Sequence, residues 1–225
     1  MNIAVILAGG TGTRLGADIP KQYIEVAGKP IIAFCLQLFE EHPLIDAIQV
    51  VAEDSWQALI EKWSSIKLHG FSKPGRNRQL SILNALEDVR QYAAKDSVVL
   101  IHDAARPLVS EQTVTDCLNG CVIHDAVMPA LPVKDTVYLG ADGRIDDLLD
   151  RSKVLAGQAP EAFRLQKYYE ANLALLPDRI LGINGSTEPA ILAGLDVQYI
   201  AGDERNFKIT TKADLERFQE IISGK

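Results

Sequence analysis

Near its start the chain reads Ile3-Ala4-Val5-Ile6-Leu7-Ala8-Gly9-Gly10-Thr11-Gly12-Thr13-Arg14-Leu15-Gly16, an apolar run of strand length that enters a loop rich in Gly and Thr; Pro20-Lys21-Gln22 follows. Glycines let the backbone approach a ligand closely, and the N–H groups of such a loop are oriented donors for phosphate. Arg14 and Lys21 add positive charge that neutral donors lack. The pattern predicts a phosphate-binding strand-to-helix loop. The alternative is an ordinary Gly-rich turn, which has no need of both cations.

The spacing of the glycines excludes two common nucleotide motifs. Gly10, Gly12 and Gly16 are one residue too widely spaced for the dinucleotide fingerprint G-x-G-x-x-G, which disfavours a dehydrogenase. A Walker A loop needs Gly-Lys followed by Ser or Thr, whereas this chain has Gly28-Lys29-Pro30. What remains is a loop of triphosphate size with two cations.

Composition and charge narrow the class of protein. The 225 residues are 47% hydrophobic and 24% charged, which suits one soluble α/β domain over 1–225. The chain has no apolar run of transmembrane length and no basic region before its first strand, so we predict neither a membrane partner nor a signal peptide. A net charge of −7 argues against nucleic acid. Cys35, Cys117 and Cys121 lack metal-type spacing, which favours a reducing cytoplasm.

Short apolar runs alternate with amphipathic stretches along the chain. The predicted strands are Ile3–Leu7, Ala47–Val51, Ser97–Ile101, Ala126–Ala130 and Val197–Ile200. The predicted helices are Ile31–Glu41, Trp56–Ser64, Arg78–Tyr92, Glu111–His124, Leu165–Leu175 and Lys212–Ser223. This order predicts an α/β fold with a mostly parallel sheet and helices on both faces. Ligands bind such sheets at the carboxyl ends of the strands.

One segment interrupts the alternation. Residues 133–139, a Gly/Asp turn over 140–143 and residues 144–151 predict a protruding β-hairpin arm at about 133–152. An isolated hairpin is marginal in water, so it must pack on something. A second subunit and the hairpin's own domain are the two candidates.

A helix start after Gly75 is the second motif that points to a ligand. Gly75-Arg76-Asn77-Arg78-Gln79-Leu80-Ser81 places loop N–H groups and, one turn inside the helix, a hydroxyl where they can read the edge of a base. The alternative is a capped helix start with solvated arginines.

An apolar strand that ends in a carboxylate is the third motif. Val98–Ile101 leads into His102-Asp103-Ala104-Ala105-Arg106-Pro107. Asp103 at a strand end suits Mg²⁺, which takes one or two carboxylates plus substrate phosphates. The alternative is an Asp that makes turn hydrogen bonds. We interpret His102 as structural.

Two later motifs carry further polar side chains. Thr136 and Asp150-Arg151, at the two ends of the hairpin, suit a small anionic acceptor, or else are surface residues. Lys208 is predicted on a strand as a further phosphate cation, with an exposed strand Lys as the alternative. Thr211 is predicted to cap the last helix, with Asp214 three positions on.

Taken in order, AGGTGTRLG, PKQ, GxxRxxS, HDAARP, PVKDT and NFKIT resemble the cytidylyltransferases that activate polyol phosphates. The two similar families act on 2-C-methyl-D-erythritol 4-phosphate and on ribitol 5-phosphate, and the resemblance covers nearly the whole chain. It implies a Rossmann-like nucleotidyltransferase fold, CTP and a polyol phosphate as substrates, Mg²⁺ as cofactor, and a homodimer whose arms reach across to the neighbouring site.

The resemblance also assigns roles to residues of this chain. It implies that the nucleotide is bound by Leu7, Ala8, Gly9, Gly10, Gly12, Gly75, Arg78 and Ser81. It implies that the catalytic cations are Arg14, Lys21 and Lys208, and that Asp103 holds Mg²⁺. It implies that the acceptor is bound by Asp103, Arg106, Thr136 and Arg151. The acceptor phosphate then attacks the α-phosphorus of CTP and expels pyrophosphate.

The chain departs from these families where the acceptor should bind. The methylerythritol enzymes usually have Thr-Pro-Gln before Phe, and this chain has Ala159-Pro160-Glu161-Ala162-Phe163. Both families usually have Thr-Asp before the last strand, where this chain has Ile183-Asn184-Gly185-Ser186-Thr187-Glu188-Pro189, with no Asp at the matching place. HDAARP favours methylerythritol phosphate over ribitol phosphate. The rivals are another sugar or polyol phosphate as acceptor, another nucleotide as donor, and a non-catalytic nucleotide-binding module.

Overall fold

The computed structural model describes residues 1–10, 19–64 and 66–224. Gly12 and Arg14, two of the predicted phosphate ligands, lie outside the described residues.

Strands and helices alternate through most of the described chain. The strands are β1 (Asn2–Leu7), β2 (Glu25–Val26), β3 (Lys29–Pro30), β4 (Ala47–Val51), β5 (Leu68–Ser72), β6 (Val98–Asp103), β7 (Ala126–Pro132), β8 (Tyr138–Ala141), β9 (Arg144–Leu148), β10 (Leu155–Gly157), β11 (Glu161–Arg164) and β12 (Val197–Ala201). The α-helices are α1 (Ile31–Glu41), α2 (Asp54–Ile60), α3 (Arg78–Val89), α4 (Glu111–Gly120), α5 (Leu165–Leu173), α6 (Glu188–Leu192) and α7 (Lys212–Ser223). Short 3₁₀ turns lie at Lys21–Tyr23, Arg151–Lys153 and Arg179–Gly182.

The central sheet is mostly parallel, as predicted. β1 lies between β4 and β6 and is parallel to both, and β5 continues the sheet beyond β4. β11 is inserted between β6 and β7 and runs antiparallel to both. β12 pairs with β7 in parallel, and β10 pairs with the end of β7 in antiparallel fashion.

Helices cover both faces of the sheet because alternate residues of each buried strand point to opposite faces. Ala4 and Ile6 of β1 pack in one apolar cluster with side chains of α1, α2 and α4. Ile3 and Val5 pack in another cluster with side chains of α3 and α5. The two clusters fix the sheet between its helices, and the polar site lies at the carboxyl ends of β1, β4 and β6.

The hairpin predicted at about 133–152 is present as β8 and β9, which pair only with each other within the described chain. Its turn is formed by Asp142 and Gly143, both with positive φ, as in the tight Asp-Gly turns that match the twist of a hairpin. Its first strand begins at Tyr138 rather than Val133, although the Leu149 N–H still donates to the Val137 carbonyl at 2.9 Å. Every residue from 138 to 148 is exposed.

Several predicted boundaries were wrong. The segment before α7 that carries Lys208 is not a strand; its backbone N–H at Ile209 donates instead to the Ala105 carbonyl, in the turn after β6. The helix predicted over Trp56–Ser64 spans Asp54–Ile60, and the predicted ends of α3, α4 and α5 lie two to four residues too far along the chain. No described helix is long and apolar enough to cross a membrane.

Candidate active site

A cavity of about 440 Å³ opens at the carboxyl ends of β1, β4 and β6. This volume lies in the range of sites for small molecules and nucleotides. It is lined by Leu7, Gly9, Gly10, Lys21, Gln22, Val51, Gly75, Arg76, Asn77, Arg78, Ser81, Asp103, Ala105 and Lys208. The described structure therefore brings together, in one cavity, most of the residues that the sequence suggested for the nucleotide and the phosphates.

Asp103 lies at the centre of the polar floor. It is the last residue of β6 and lies beside Leu7, the last residue of β1, in the parallel register. Its Oδ1 accepts from Nε of Arg78 at 3.1 Å and from Nη2 at 3.0 Å. Its Oδ2 lies 3.0 Å from Nζ of Lys208 and 3.7 Å from Nε of Arg106. Three cations from three different segments thus converge on one carboxylate.

These cations determine the charge state of Asp103. Burial opposes its ionisation, but Arg78, Lys208 and Arg106 together outweigh burial and hold the pKa of Asp103 well below its usual range. Burial opposes the charge of Arg78, but the carboxylates of Asp103 and Glu161 outweigh burial and raise the pKa of Arg78 above its usual value. The floor therefore carries a permanent carboxylate inside a ring of positive charge, which suits an anionic ligand.

A second carboxylate, Glu161 of β11, lies buried beneath this floor. Its two oxygens accept from the hydroxyls of Ser186, at 3.1 Å, and Thr187, at 2.5 Å. Ser186 Oγ in turn accepts from Nη1 of Arg78. Burial raises the pKa of Glu161 above its usual value, and Arg78 and Thr187 partly offset that rise. Arg78 is therefore held on one side by Asp103 and on the other by Ser186.

This contact joins the two segments in which the chain departs from the resembling families. Glu161 belongs to Ala159–Phe163, and Ser186 and Thr187 follow Asn184-Gly185. One feature of the sequence points to this contact: Glu161 is a charged residue in an otherwise apolar run. Nothing in the sequence identifies the partners, Ser186 and Thr187. They lie 25 and 26 residues further along the chain and meet Glu161 only in the folded structure.

The loop after β1 is fixed by side chains of the Lys21–Tyr23 turn. Gln22 donates through Nε2 to the carbonyls of Ala8, at 2.6 Å, and Gly10, at 2.8 Å. Gly9 has no room for a side chain, since a Cβ would lie 2.6 Å from the ring of Pro74. Ala8 is buried behind the loop rather than in the cavity lining.

The start of α3 is built around Ser81. The Gly75 N–H donates to Ser81 Oγ at 2.9 Å, and the hydroxyl donates to the Asn77 carbonyl at 3.0 Å. Asn77 caps the helix by accepting from the Leu80 N–H at 2.8 Å. Gly75 is required because a Cβ there would lie 2.5 Å from Leu80. The Ser81 hydroxyl thus holds the loop in place, a structural contact that the sequence did not predict.

Lys21 and Lys208 reach the cavity from two segments that are tied together. Lys21 Nζ donates to the Ile209 carbonyl at 2.6 Å. The Lys208 segment is anchored from below by Gln158, which donates to the carbonyls of Asp203, at 2.9 Å, and Asn206, at 3.3 Å. The Lys21 side chain is therefore bonded directly to the segment that carries Lys208.

The other predicted residues lie away from the cavity lining. Arg106 Nη1 donates to the Asn206 carbonyl at 2.6 Å, and Arg106 does not line the cavity. Thr136 lies in the exposed segment before the hairpin, and Arg151 lies after it and donates to the Lys134 carbonyl at 2.8 Å. His102 is fully buried, its Nε2 lies 3.0 Å from the Arg106 carbonyl, and burial lowers its pKa to about 4.

Comparison of the chain with known proteins identifies its family. The family model for 2-C-methyl-D-erythritol 4-phosphate cytidylyltransferase, IspD, matches residues 2–224. The chain is 36% identical to a 2-C-methyl-D-erythritol 4-phosphate cytidylyltransferase of Geobacter metallireducens, covering 99% of this chain and 97% of that protein. It is 32% identical to a ribitol-5-phosphate cytidylyltransferase of Streptococcus agalactiae, and this match covers 100% of this chain and 97% of that protein.

Solved structures and longer relatives agree with this placement. The crystal structure of the Francisella tularensis 2-C-methyl-D-erythritol 4-phosphate cytidylyltransferase superposes with a TM-score of 0.84 at 28% identity, covering 97% of this chain and 99% of that one. The chain spans only 55% of a bifunctional enzyme IspD/IspF of Bradyrhizobium diazoefficiens, to which it is 35% identical over 98% of its own length. The chain therefore belongs to the IspD family of cytidylyltransferases.

Proposed function

We propose that the protein transfers CMP from CTP to 2-C-methyl-D-erythritol 4-phosphate and releases pyrophosphate, as part of isoprenoid precursor synthesis. Ribitol 5-phosphate, or another sugar or polyol phosphate used for surface polymers, is the alternative acceptor, because relatives of both names match nearly the whole chain. The observation that carries the proposal is the cavity floor. Lys21, Lys208 and Arg78 surround it, and the Gly9-Gly10 backbone borders it.

The reaction follows from the charges of the two substrates. A phosphate monoester has its second pKa near 6, so the acceptor is largely a dianion at neutral pH and needs no general base. One of its oxygens bonds to the α-phosphorus of CTP while the bond from that phosphorus to the bridging oxygen of the β-phosphate breaks. The electron pair of that bond leaves with pyrophosphate.

The work of the protein is to bring two anions together and to stabilise the charge of the transition state. Lys21, Lys208 and Arg78 all line the cavity, and the last two contact the same carboxylate, Asp103. His102 serves no acid–base role in this proposal because it is fully buried and its pKa of about 4 keeps it neutral near pH 7.

The residues present fit a magnesium ion that is shared with substrate. Asp103 is ionised and lines the cavity, and hard carboxylate oxygens are the ligands Mg²⁺ prefers. The described residues contain no group of three or more His, Cys, Asp or Glu that would hold a metal by themselves, so phosphates would supply most of its oxygens. Bound there, Mg²⁺ would neutralise phosphate charge. Asp103 would anchor it in place of part of its contact with Lys208.

We further propose that the acceptor site is completed across a homodimer. Thr136 and Arg151 lie outside the cavity lining of their own chain, on an exposed arm. The arm carries exposed apolar side chains, with Ile145 70% and Leu148 58% exposed. A symmetric partner would cover them and receive the two polar residues at its own cavity. The dimer and a cytoplasmic location stay predictions.

Pyrophosphate release tests the proposed function. The protein is incubated with CTP, Mg²⁺ and either 2-C-methyl-D-erythritol 4-phosphate or ribitol 5-phosphate, with UTP and GTP as donor controls. We expect release with CTP and the methylerythritol phosphate, and a lower kcat/KM with the ribitol phosphate. Release with UTP but not CTP would overturn the choice of base. Release with ribitol phosphate alone would select the alternative acceptor, and no release with either would contradict both.

A further inference from the structure

Gln22 is a buried amide whose two hydrogens are both used to hold the loop after β1. It is 4% exposed, and its Nε2 donates to the carbonyls of Ala8, at 2.6 Å, and Gly10, at 2.8 Å. The hydroxyl of Tyr23 donates to the same Ala8 carbonyl at 3.1 Å. Tyr23 is itself stacked on Trp56 with ring centroids 4.0 Å apart. The Lys21–Tyr23 turn is therefore a rigid clamp on two peptide carbonyls.

The planarity of the peptide bond makes this clamp directional. In a trans peptide the C=O of one residue and the N–H of the next point in opposite directions. Because Gln22 and Tyr23 hold the Ala8 carbonyl on their side, the N–H of Gly9 points away from them. Gly9 borders the cavity, and within the described chain nothing accepts a hydrogen bond from its N–H. The clamp thus fixes the direction of the Gly9 N–H, away from the Lys21–Tyr23 turn.

We infer that Gln22 is a positioning residue that orients the backbone N–H of Gly9 toward a phosphate group of the nucleotide. The inference rests on the proposed function. It adds Gln22, a residue that takes no direct part in the chemical step. Gln22 also follows Lys21 directly, so the turn that orients the loop also delivers a cation to the same cavity. The same turn therefore places both the Gly9 N–H and the Lys21 ammonium group near one ligand.

This role makes a prediction that a purely structural role does not. The loop after β1 should contact the phosphates beyond the α-phosphate, whereas the base is read at the start of α3. Loss of the clamp should therefore weaken CTP binding much more than CMP binding. A residue that only stabilises the fold would leave the ratio of the two affinities unchanged in the folded protein.

The test compares Gln22→Leu with Gln49→Leu in the full chain, by calorimetric titration with CTP and with CMP. Gln49 is a matched control because it is 2% exposed, donates one hydrogen bond, to Ser72 at 2.9 Å, and lies outside the cavity lining. We expect Gln22→Leu to weaken CTP binding by at least about tenfold and CMP binding by less than about threefold, since loss of a hydrogen bond to a charged group costs roughly tenfold or more in affinity. Gln49→Leu should lower the unfolding temperature without changing the CTP-to-CMP ratio.

An unchanged ratio in folded Gln22→Leu would overturn the inference while leaving the proposed function in place. If that variant does not fold, Tyr23→Phe serves instead, because it removes the second donor to the Ala8 carbonyl. It should lower the ratio of CTP affinity to CMP affinity by about threefold. An unchanged ratio in Tyr23→Phe would then overturn the inference instead. A wild-type protein that binds neither CTP nor CMP would overturn the proposed function, and this inference with it.

Discussion

The cavity floor and the hairpin arm are built in opposite ways. On the floor, Asp103 and Glu161 are buried, and each is bonded to side chains from distant segments of the same chain. On the arm, β8 and β9 pair with each other, and Arg151 donates to Lys134 of the same exposed segment. The difference teaches that the cavity is lined by one chain alone, whereas the arm residues lie outside that cavity, and the proposed acceptor site therefore needs a second subunit.

Removal of the central carboxylate should have the largest effect on the floor. Asp103→Asn keeps the shape but removes the negative charge that Arg78 and Lys208 share. We expect kcat/KM to fall on the order of a thousandfold, because both the cations and the proposed Mg²⁺ lose their anchor. Unfolding free energy should fall by about 2 kcal/mol, less than for a fully buried pair, because Arg78 and Lys208 remain 30% and 33% exposed. Pyrophosphate release at several Mg²⁺ concentrations and urea unfolding measure the two effects. Unchanged turnover would show that the floor does not act in the reaction.

Loss of a single cation should affect the reaction more than the fold. Lys21→Ala removes an ammonium group that lines the cavity and donates to the Ile209 carbonyl. We expect turnover to fall roughly a hundredfold, or about 3 kcal/mol in the barrier, with a change in unfolding free energy below about 1 kcal/mol. Steady-state kinetics and thermal unfolding of the same preparation separate the effects. Near-wild-type turnover would contradict the role of Lys21.

A change on the arm should act on one substrate only. Arg151→Ala is expected to raise KM for the polyol phosphate about tenfold and to leave the affinity for CTP unchanged, since a charged contact contributes roughly 1.5 kcal/mol or more. Arg144→Ala is the matched control, because Arg144 is also an exposed arginine of the arm. If both variants had the same KM as wild type, Arg151 would have no part in acceptor binding.

The smallest expected effect concerns the anchor of the Lys208 segment. Asp214 accepts from the N–H groups of Thr210, at 2.9 Å, and Thr211, at 2.8 Å, and completes a capping box at the start of α7. Burial opposes its ionisation, but these hydrogen bonds outweigh burial and lower the pKa of Asp214 to about 2. A lowered carboxylate pKa stabilises the fold above the unfolded value near 3.9, and that stabilisation is lost as the pH falls toward 2.

Asp214→Asn should therefore lower unfolding free energy by about 1 kcal/mol at pH 7 and by less at pH 3. Urea unfolding at the two pH values measures the difference. A destabilisation that grew on acidification would contradict the role of the ionised carboxylate.

Patterns local in sequence predicted the elements that carry the floor, and tertiary packing decided the rest. The apolar run before Gly9 and the run before His102 are buried strands, and the ends of the two strands lie side by side. The extended segment at Lys208 has the composition of a strand. It is held instead by Ala105, Lys21 and Gln158, contacts between residues far apart in sequence.

The hydrogen-bond partners of individual polar groups also could not be predicted from the sequence. Ser81 has the spacing of a ligand contact, yet its hydroxyl bonds Gly75 and Asn77, because the glycine loop folds back onto the first turn of α3. Gln22 lies in the motif Pro20-Lys21-Gln22, in which only Lys21 was predicted to bind phosphate. Its role as a clamp depends on where the carbonyls of the loop point.

A hybrid dimer tests most directly the central claim that the floor of one chain and the arm of another form one site for cytidylyl transfer. Lys21→Ala and Arg151→Ala chains with different tags are co-expressed, and the dimer that carries both tags is purified. It is assayed with CTP and with the polyol phosphate at a concentration well below its KM, where each parent dimer has a large loss of activity. If arms cross, one site of the hybrid holds both defects and the other holds none, so the hybrid should have about half the activity of the wild-type dimer. A hybrid no more active than the mean of its parents, or a protein that stays monomeric at micromolar concentration, would contradict the account.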